Sequence, residues 1–283
     1  MKFTVYTTAA DFNKDVLEVL NRHEIQNNII YKNIGDDKFM ATVKDDNGNV
    51  VLTATRTSPF PMVMYETENI RNDEVVAFFA RSFVEHNIDV DFIMTEKELA
   101  KSFCEHYNKL TNKEYHNNES LVLYVLDKVN DITPVSGEFR QINADDMFYL
   151  PYWLADFVPA CNLGEYNLPG AIEGANKNIE KGNSFVWVDK FPVSLATNTR
   201  STSECAIIAQ VYTPPNLRGN GYSTACVWNL SKKLLDGGFK YCALYADCAN
   251  PASNKVYQKI GYKEVFWYDQ YKLTRGDSPW QRM

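Results

Sequence analysis

The sequence lacks the features that define several common classes of protein. No apolar run approaches the ~18–20 residues that a membrane-spanning helix needs, and the opening residues MKFTVYTTAADF contain no hydrophobic signal-peptide core. The six cysteines are scattered and include no C-x-x-C pair. In a chain of this size they indicate free thiols in a reducing compartment rather than a disulfide framework. We therefore expect a cytoplasmic protein with no membrane partner.

Histidine and positive charge are also in short supply. The four histidines, His23, His86, His106 and His116, all lie in the first half, and no H-E-x-x-H pair occurs, so we expect no metal site. The chain carries 29 Lys and Arg against 36 Asp and Glu, for a net charge of -7. This acidity disfavours nucleic acid as a partner.

The sequence does contain enough apolar material for a large core. Of its 283 residues, 45% are hydrophobic and 23% are charged, as in ordinary globular proteins. The length suits one large or two ordinary domains. The segment NDITPVSG, at 130–137, is polar and contains proline and glycine, which favours a linker. We therefore predict two domains, 1–130 and 131–283.

The two halves repeat one order of predicted elements. Residues 39–57 and 185–201 each indicate a strand, a turn and a second strand. In both halves, helices and strands then alternate. Thr95, with Glu98 three residues later, predicts a capping box in the first half, and Asn250 predicts a helix cap in the second. The sequence therefore predicts two copies of one α+β unit.

The stretch PPNLRGNGYS, at 214–223, carries the strongest chemical signal. It follows an apolar strand predicted at 205–213 and precedes a predicted helix. This order directs free backbone N–H groups and the positive end of a helix dipole at an anion. Gly219 and Gly221 permit close approach of the backbone, and Arg218 offers a guanidinium to phosphate. Taken alone, the stretch fits a surface turn about as well as a phosphate site.

Two familiar phosphate loops do not fit this stretch. The chain has no G-K-S or G-K-T after it, which excludes a P-loop. A dinucleotide fingerprint would need a third glycine near Thr224. Asp247 ends the next predicted strand, where a ribose-binding acid would stand, but too little chain follows it to complete a doubly wound sheet.

The spacing in NLRGNGYS resembles the pyrophosphate loop of the GNAT acyltransferase superfamily, usually Q/R-x-x-G-x-G/A, with Asn216 replacing Gln or Arg. Downstream, NPASNKVYQKIGY resembles the family's N-x-x-A-x-x-x-Y-x-x-x-G-F/Y segment, with Ser253 where alanine is common. VYTPP resembles the family's fourth strand with its bulge, and GEFRQINADDMFYLPYWLADF resembles its opening strand and first helix. The resemblance covers residues 138–273.

The resemblance implies an α+β fold of tandem GNAT-like units, each a mixed, mostly antiparallel twisted sheet flanked by helices. Residues 131–283 would be the catalytic acetyltransferase domain, and 1–130 a degenerate GNAT-like domain. It also implies acetyl-CoA as cosubstrate, held in a gap between two strands, with its pantetheine arm paired to the first of them. The binding residues that it implies are Val211, Tyr212, Thr213, Arg218, Gly219, Asn220, Gly221, Tyr222, Ser223, Asn250 and Ser253.

Tyr257 matches the family's usual general acid, which protonates the leaving CoA thiolate after an amine attacks the thioester in a ternary complex. The amide of Val211 could polarise the thioester carbonyl, as in an oxyanion hole. The alternatives are a core tyrosine at 257 and, for Asn250, a helix cap alone.

The residues around the acceptor amine are left open. Glu204 and Asp247 are candidates for the general base, although either could be a solvated carboxylate. Trp153, Phe157 and Trp187 could line the acceptor pocket, but the spacing of the first two is more typical of a core.

The first half lacks the glycine loop. It reads ETENIRNDE at the corresponding position, where Glu66, Glu68, Asp73 and Glu74 would oppose a diphosphate. The leading hypothesis is transfer of an acetyl group to a small primary amine. The alternatives are a non-catalytic acyl-CoA-binding or regulatory protein, and an aminoacyl transferase using tRNA, against which the acidity counts. The sequence identifies neither the acceptor nor the oligomeric state.

Overall fold

A computed structural model describes residues 1–67, 72–161 and 163–275. The chain divides into two units, one formed by Met1–Val122 with Phe266–Met283 and the other by Leu123–Val265. Each unit combines helices with a sheet, so the predicted α+β class is confirmed.

The elements of the first part of the chain, in order, are β1 (Lys2–Tyr6), α1 (Ala9–Asn21), α2 (Asn28–Lys32), β2 (Phe39–Lys44), β3 (Val50–Arg56), β4 (Met62–Glu66), α3 (Asp73–Glu85), β5 (Phe92–Glu96), α4 (Lys97–Thr111) and β6 (Lys113–Leu126). Those that follow are β7 (Glu138–Gln141), α5 (Leu150–Ala160), α6 (Leu168–Lys181), β8 (Ser184–Asp189), β9 (Phe191–Ser201), β10 (Cys205–Tyr212), α7 (Tyr222–Asp236), β11 (Tyr241–Asp247), α8 (Pro251–Ile260) and β12 (Lys263–Arg275). Short 3₁₀ helices occupy Ala144–Phe148 and Pro215–Leu217. None of the helices within the described ranges has both the length and the apolar character needed to cross a bilayer.

The sheet of the first unit has the strand order β1-β2-β3-β4-β5-β12. Its neighbouring strands are antiparallel except β4 and β5, which are parallel. The predicted hairpin is confirmed, since β2 and β3 pair from Phe39 with Arg56 to Lys44 with Val50. Gly48 in its turn has φ of 86°, a conformation that favours glycine.

Helices α3 and α4 cover this sheet with an aromatic cluster. Phe79, Phe83 and Phe103 are fully buried. The rings of Phe79 and Phe83 meet edge to face at 4.6 Å, and Phe103 stacks on Tyr107 at 5.5 Å. Such contacts add to the burial of large apolar surfaces, so this aromatic cluster forms a large part of the core of the first unit.

The cap of α4 differs from the prediction. Glu96, and not Thr95, accepts the amide hydrogens of Glu98 and Leu99, at 3.0 and 2.9 Å. Thr95 is fully buried in β5, and its hydroxyl donates to the Met64 carbonyl oxygen at 2.7 Å. The capping-box prediction was wrong because β5 continues through Glu96, which places the cap one residue later than the local sequence indicates.

The sheet of the second unit runs β11-β10-β9-β8-β7, with β6 on the far side of β11. The pairs β7–β8, β8–β9 and β9–β10 are antiparallel, and β10–β11 is parallel. The predicted mixed, mostly antiparallel sheet flanked by helices is therefore present in both units.

An ion pair between a buried carboxylate and a partly exposed guanidinium joins β7 to the residues that follow it. Asp146, 1% exposed, accepts two hydrogen bonds from Arg140, at 2.8 and 2.7 Å. It also accepts the Asn143 amide and the Tyr149 hydroxyl, both at 2.8 Å. Burial alone would raise the pKa of Asp146, but these hydrogen bonds outweigh it and lower the pKa. The network ties β7 to the turn that leads into α5.

The division of the chain differs from the proposed boundary at residues 130 and 131. The first unit consists of the chain up to Val122 and of a second segment that begins at Phe266. There, Tyr268–Lys272 of β12 pair antiparallel with Phe92–Glu96 of β5. The final strand of the chain thus completes the first unit, a long-range pairing that local sequence patterns do not encode.

Candidate functional site

The candidate site lies in the second unit, where β10 and β11 part. The two strands pair at three positions, Cys205 with Tyr241, Ala206 with Cys242 and Ile207 with Ala243. Both strands then run on, β10 to Tyr212 and β11 to Asp247, beyond that pairing. Parallel strands that diverge leave backbone donors and acceptors on their facing edges available to an extended ligand.

A bulge in β10 sits at this opening. Gln210 has φ of 51°, which is uncommon for a residue other than glycine, and the register with β9 shifts between Ala209 and Tyr212. The side-chain oxygen of Gln210 accepts a hydrogen bond from Asn178 of α6 at 2.9 Å. Bulges re-aim the residues beside them, so this one sets the direction of the Val211 backbone. It lies immediately before the predicted binding stretch at 211–213.

The glycine loop joins the open end of β10 to α7. Gly219 and Gly221 have φ of 83° and 80°, in the region that favours glycine. A Cβ at Gly219 would meet nothing within 4 Å, whereas one at Gly221 would lie 3.0 Å from Cγ1 of Val135. Among the described residues, the amides of Gly219, Asn220 and Gly221 donate no hydrogen bond. Together with the first amides of α7, which no helical carbonyl can reach, they form a cradle suited to an anion.

The polar side chains of this loop brace its own backbone. Nε of Arg218 donates to the Thr213 carbonyl oxygen at 3.0 Å, and Nδ2 of Asn220 donates to the Leu217 carbonyl oxygen at 3.1 Å. Arg218 thus ties the middle of the loop to the residue that follows β10. In this structure its side chain braces the loop backbone.

The first residue of α7 is anchored by a carboxylate that sequence reasoning missed. Asp189, at the β8–β9 turn, accepts the Tyr222 hydroxyl at 2.8 Å and the Ser136 hydroxyl at 2.7 Å. These side-chain hydrogen bonds lower the pKa of Asp189. The sequence carries no local signal for this contact, because 33 residues separate Asp189 and Tyr222.

The start of α8 follows β11 directly and completes the other wall of the opening. The Asn250 side chain accepts the Ser253 amide hydrogen at 3.1 Å, so it caps the helix as predicted. Nδ2 of Asn254 donates to the Asp247 carbonyl oxygen at 3.1 Å, which ties α8 to the end of β11. Oδ1 of Asn254 is buried without a hydrogen-bond partner in the described structure.

Tyr257 lies two turns into α8 and is 7% exposed. Its ring packs against Tyr124 at 5.9 Å and Tyr262 at 6.0 Å. Within the part of the chain that the structure describes, its hydroxyl forms no hydrogen bond. Burial raises the pKa of Tyr257, with Cys161 and Tyr124 adding to the shift. The phenol therefore stays protonated near neutral pH and has a proton available to donate.

A polar network that local sequence patterns do not predict holds Tyr124, the residue on which Tyr257 packs. The buried Tyr124 donates to Glu264 at 3.0 Å, and Nε2 of Gln258 donates to Glu264 at 3.0 Å and to the Tyr124 hydroxyl at 3.4 Å. Burial and the bond to Glu264 raise the pKa of Tyr124 to about 12. The network fixes the ring on which Tyr257 packs.

The two candidate bases stand at opposite ends of the strands. Glu204 precedes the paired end, where its carbonyl oxygen accepts the amides of Lys240 and Tyr241. Its carboxylate lies 3.5 Å from Nζ of Lys240. Asp247 ends β11 on the open side, where its Oδ1 accepts the Ala249 amide at 2.8 Å. Of the two, only Asp247 is placed beside the opening.

Of the aromatic residues predicted to line the acceptor pocket, Trp153 lies near the open end of β10 and Trp187 does not. Trp187 is 8% exposed and donates its indole N–H to the Ser136 carbonyl oxygen at 2.9 Å. Trp153 packs partly buried against the α5–α6 core, with its ring 5.9 Å from that of Tyr212. The Tyr212 hydroxyl donates to Asp156 of α5 at 3.3 Å. Trp153 and Asp156 therefore lie near the open end of β10, and Trp187 is structural.

Residues 184–262 match the model of the acetyltransferase (GNAT) family. The second unit therefore contains a GNAT domain. The matched stretch runs from β8 through the glycine loop to the end of α8, so it includes the diverging strands and Tyr257. The resemblance read from the sequence is confirmed, and acyl transfer is the general chemistry of this family.

The fold of the whole chain is similar to solved GNAT structures. An acetyltransferase from the GNAT family of Colwellia psychrerythraea has a TM-score of 0.64 and 10% identity, covering 97% of this chain and 99% of its own. A GCN5-related N-acetyltransferase from Sphaerobacter thermophilus has a TM-score of 0.67 and 12% identity, covering 97% and 96%. A tandem GNAT protein from the clavulanic acid biosynthesis pathway has a TM-score of 0.56 and 11% identity, covering 98% and 99%.

At these identities the likeness concerns the fold. It extends over both units, so the expected tandem architecture fits. No curated protein sequence is significantly similar to the chain.

Proposed function

We propose that the protein is an N-acetyltransferase that transfers the acetyl group of acetyl-CoA to a small primary amine at the GNAT domain of the second unit. The observation that carries this proposal is the opening between β10 and β11, from which β10 leads into a loop of free amides. The buried phenol of Tyr257 lies on α8, the helix that follows β11. An extended thioester with a diphosphate at its far end matches both features.

Binding would rest mainly on backbone groups. The bulged edge at 211–213 would pair with the amide-rich arm of acetyl-CoA, and the amides of residues 218–223 would hold its diphosphate. Asn250 and Ser253, at the first turn of α8, would contact the arm from the side of β11. The free amides of Gly219, Asn220 and Gly221 support this assignment, since an anion would satisfy them.

The residues of this chain would then act on the thioester in three ways. The Val211 amide would donate to the carbonyl oxygen, which gains negative charge as the amine attacks. Tyr257 would donate its proton to the sulfur as the carbon–sulfur bond breaks. Asp247 would accept the proton that the amine loses, directly or through water. The raised pKa of Tyr257 supports its role as the acid, because the phenol keeps its proton until it is needed.

The experiment that tests the proposal measures CoA release from acetyl-CoA across a panel of amines. The panel holds amino acids, polyamines, aminoglycosides, and peptides with free N-termini or lysines. We expect at least one class to give turnover that depends on Tyr257. If acetyl-CoA binds tightly but no amine releases CoA, the protein is an acyl-CoA-binding or regulatory protein. A shift of bulk tRNA at low salt would instead indicate aminoacyl transfer.

A further inference from the structure

The segment that joins β6 to β7 contacts both α7 and the glycine loop. The indole N–H of Trp228, on α7, donates to the Asn130 carbonyl oxygen at 2.7 Å. Five residues further along the segment, Cγ1 of Val135 lies 3.0 Å from the position that a Cβ on Gly221 would occupy. The segment that the sequence indicated as a linker therefore runs along α7 to the residue that precedes its first turn.

Strand β8 holds the next two residues of this segment. The indole N–H of Trp187 donates to the Ser136 carbonyl oxygen at 2.9 Å. Gly137 has φ of 119°, and a Cβ there would lie 2.5 Å from the Val188 carbonyl oxygen. Glycine permits this close approach because it has no Cβ. Residues 135–137 thus form a brace between β8 and the glycine loop.

Asp189, the last residue of β8, connects this brace to α7. One of its oxygens, Oδ2, accepts the Ser136 hydroxyl at 2.7 Å and the Tyr222 hydroxyl at 2.8 Å. The lowered pKa of Asp189 keeps it ionised near neutral pH, so it accepts both protons and donates none. The first residue of α7 is therefore held by a charge-assisted hydrogen bond, and the brace in turn holds the carboxylate.

The position of Tyr222 matters because its backbone amide belongs to the proposed diphosphate cradle. Gly219 and Gly221 give the loop before it conformational freedom. A cradle of amides binds an anion most tightly when the N–H groups already converge before the ligand arrives. The contact from Asp189 restricts the loop at the end where it enters α7.

We propose that Asp189 is a positioning residue for the diphosphate of acetyl-CoA. It holds Tyr222 so that the amides of residues 219–223 converge, and Ser136 holds Asp189 in turn. Asp189 acts through Tyr222 and not by touching the diphosphate, since two negative charges repel each other. This inference rests on the proposed binding of acetyl-CoA and concerns the part of the affinity that comes from the diphosphate.

Calorimetric titration of the full chain with two thioesters tests the proposal. Acetyl-CoA carries the diphosphate, and S-acetylpantetheine has the same reactive arm without it. Asp189→Ala removes the acceptor of both hydroxyls, so acetyl-CoA should bind about fivefold more weakly or worse, as expected for the loss of one ordinary hydrogen bond. The affinity for S-acetylpantetheine should stay within about twofold. Equal weakening of both ligands would indicate general damage to the unit and would overturn the proposal.

A conservative variant separates position from charge. Because a single oxygen of Asp189 accepts both hydroxyls, the amide oxygen of asparagine can replace it. Asp189→Asn should therefore bind acetyl-CoA more tightly than Asp189→Ala does. Equal losses in these two variants would show that the charge, and not the position of Tyr222, sets the affinity, and would overturn the proposal.

The matched control is Asp236→Ala, which removes an exposed carboxylate from the other end of α7. Asp236 accepts a hydrogen bond from Lys232 of the same helix at 2.7 Å, and its loss should leave the acetyl-CoA affinity unchanged. If Asp189→Ala fails to fold, Tyr222→Phe, which keeps the ring and removes the hydroxyl, takes its place. Acetyl-CoA affinity that neither variant changes would overturn this proposal and leave the proposed function standing. Absence of acetyl-CoA binding to the unchanged protein would overturn both.

Discussion

Replacing Gly221 with valine tests whether backbone amides hold the diphosphate of acetyl-CoA. Gly221 has φ of 80°, and a Cβ there would lie 3.0 Å from Cγ1 of Val135. An L-residue in the left-handed region costs about 1–2 kcal/mol, and a branched residue makes the contact with Val135 tighter. If the loop relaxes to escape this strain, binding must restore its shape. The affinity for acetyl-CoA then falls roughly 5- to 30-fold.

The acetyl-CoA affinity of Gly221→Val is to be compared with that of Arg218→Ala, which removes a side chain and leaves the loop amides in place. Arg218 is exposed, and its Nε already donates to the Thr213 carbonyl oxygen. Exposed charged contacts are worth about 0–1 kcal/mol, so its loss should weaken binding by no more than about fivefold. The matched control is Gly238→Val, since Gly238 also has positive φ, at 107°, but lies beyond the far end of α7.

Titration of each variant with acetyl-CoA, together with its thermal unfolding midpoint, decides between the two roles. Gly238→Val should lower stability and leave the affinity unchanged. Gly221→Val should lower the affinity more than Arg218→Ala does. The reverse order for these two variants would refute the claim that the amides around Gly219 and Gly221 do most of the holding.

Three further predictions follow from the second unit. Tyr257→Phe should lower kcat by about 100-fold or more with acetyl-CoA affinity unchanged; an unchanged kcat would remove the general-acid assignment. Because burial raises the pKa of Tyr257, its ionisation should reduce kcat only above pH 10. Asp146→Asn should lower the free energy of unfolding at pH 7 by about 2–3 kcal/mol, less than for a fully buried pair because Arg140 is 33% exposed. Because the pKa of Asp146 is lowered in the folded protein, its ionised form stabilises the fold above pH 3.8, and this stabilisation is lost as the pH falls through the folded pKa. The difference in unfolding free energy between Asp146→Asn and the unchanged protein, measured in urea, should therefore shrink at pH 3. A difference that stays constant would contradict this. Gln210→Gly should change the unfolding free energy by no more than about 1 kcal/mol, because glycine adopts φ of 51° freely. Gln210→Val should lower the unfolding free energy by more than that. Equal losses of unfolding free energy in the two variants would argue against a strained bulge.

The glycine loop and the helix after it could be predicted from the sequence because their signals are local. Asn250 caps α8 as expected, since an N-cap depends on residues within one turn. Gly219 and Gly221 take the positive φ values that glycine permits. The hairpin of β2 and β3 was predictable for the same reason.

Contacts between distant residues were out of reach of local patterns. Tyr124 and Glu264 are 140 residues apart, yet their hydrogen bond fixes the ring beside Tyr257. Thr95 lies in β5 rather than at a helix cap because a bond to the Met64 carbonyl oxygen, 31 residues away, keeps it in the sheet. Each of these outcomes depends on which strands become neighbours.

The sequence by itself determined the α+β class, the GNAT resemblance of the second half and the tyrosine that stands as candidate acid. Hydrophobic periodicity, glycine positions and helix-capping residues affect structure over only a few neighbouring positions, so they can be recognised in the sequence alone. Only the tertiary structure decided that β10 and β11 part after Ile207, that β12 completes the first unit and that Asp189 meets Tyr222 at the start of α7. These features come from contacts between distant residues, whose free energy depends on the whole packed unit rather than on any short segment.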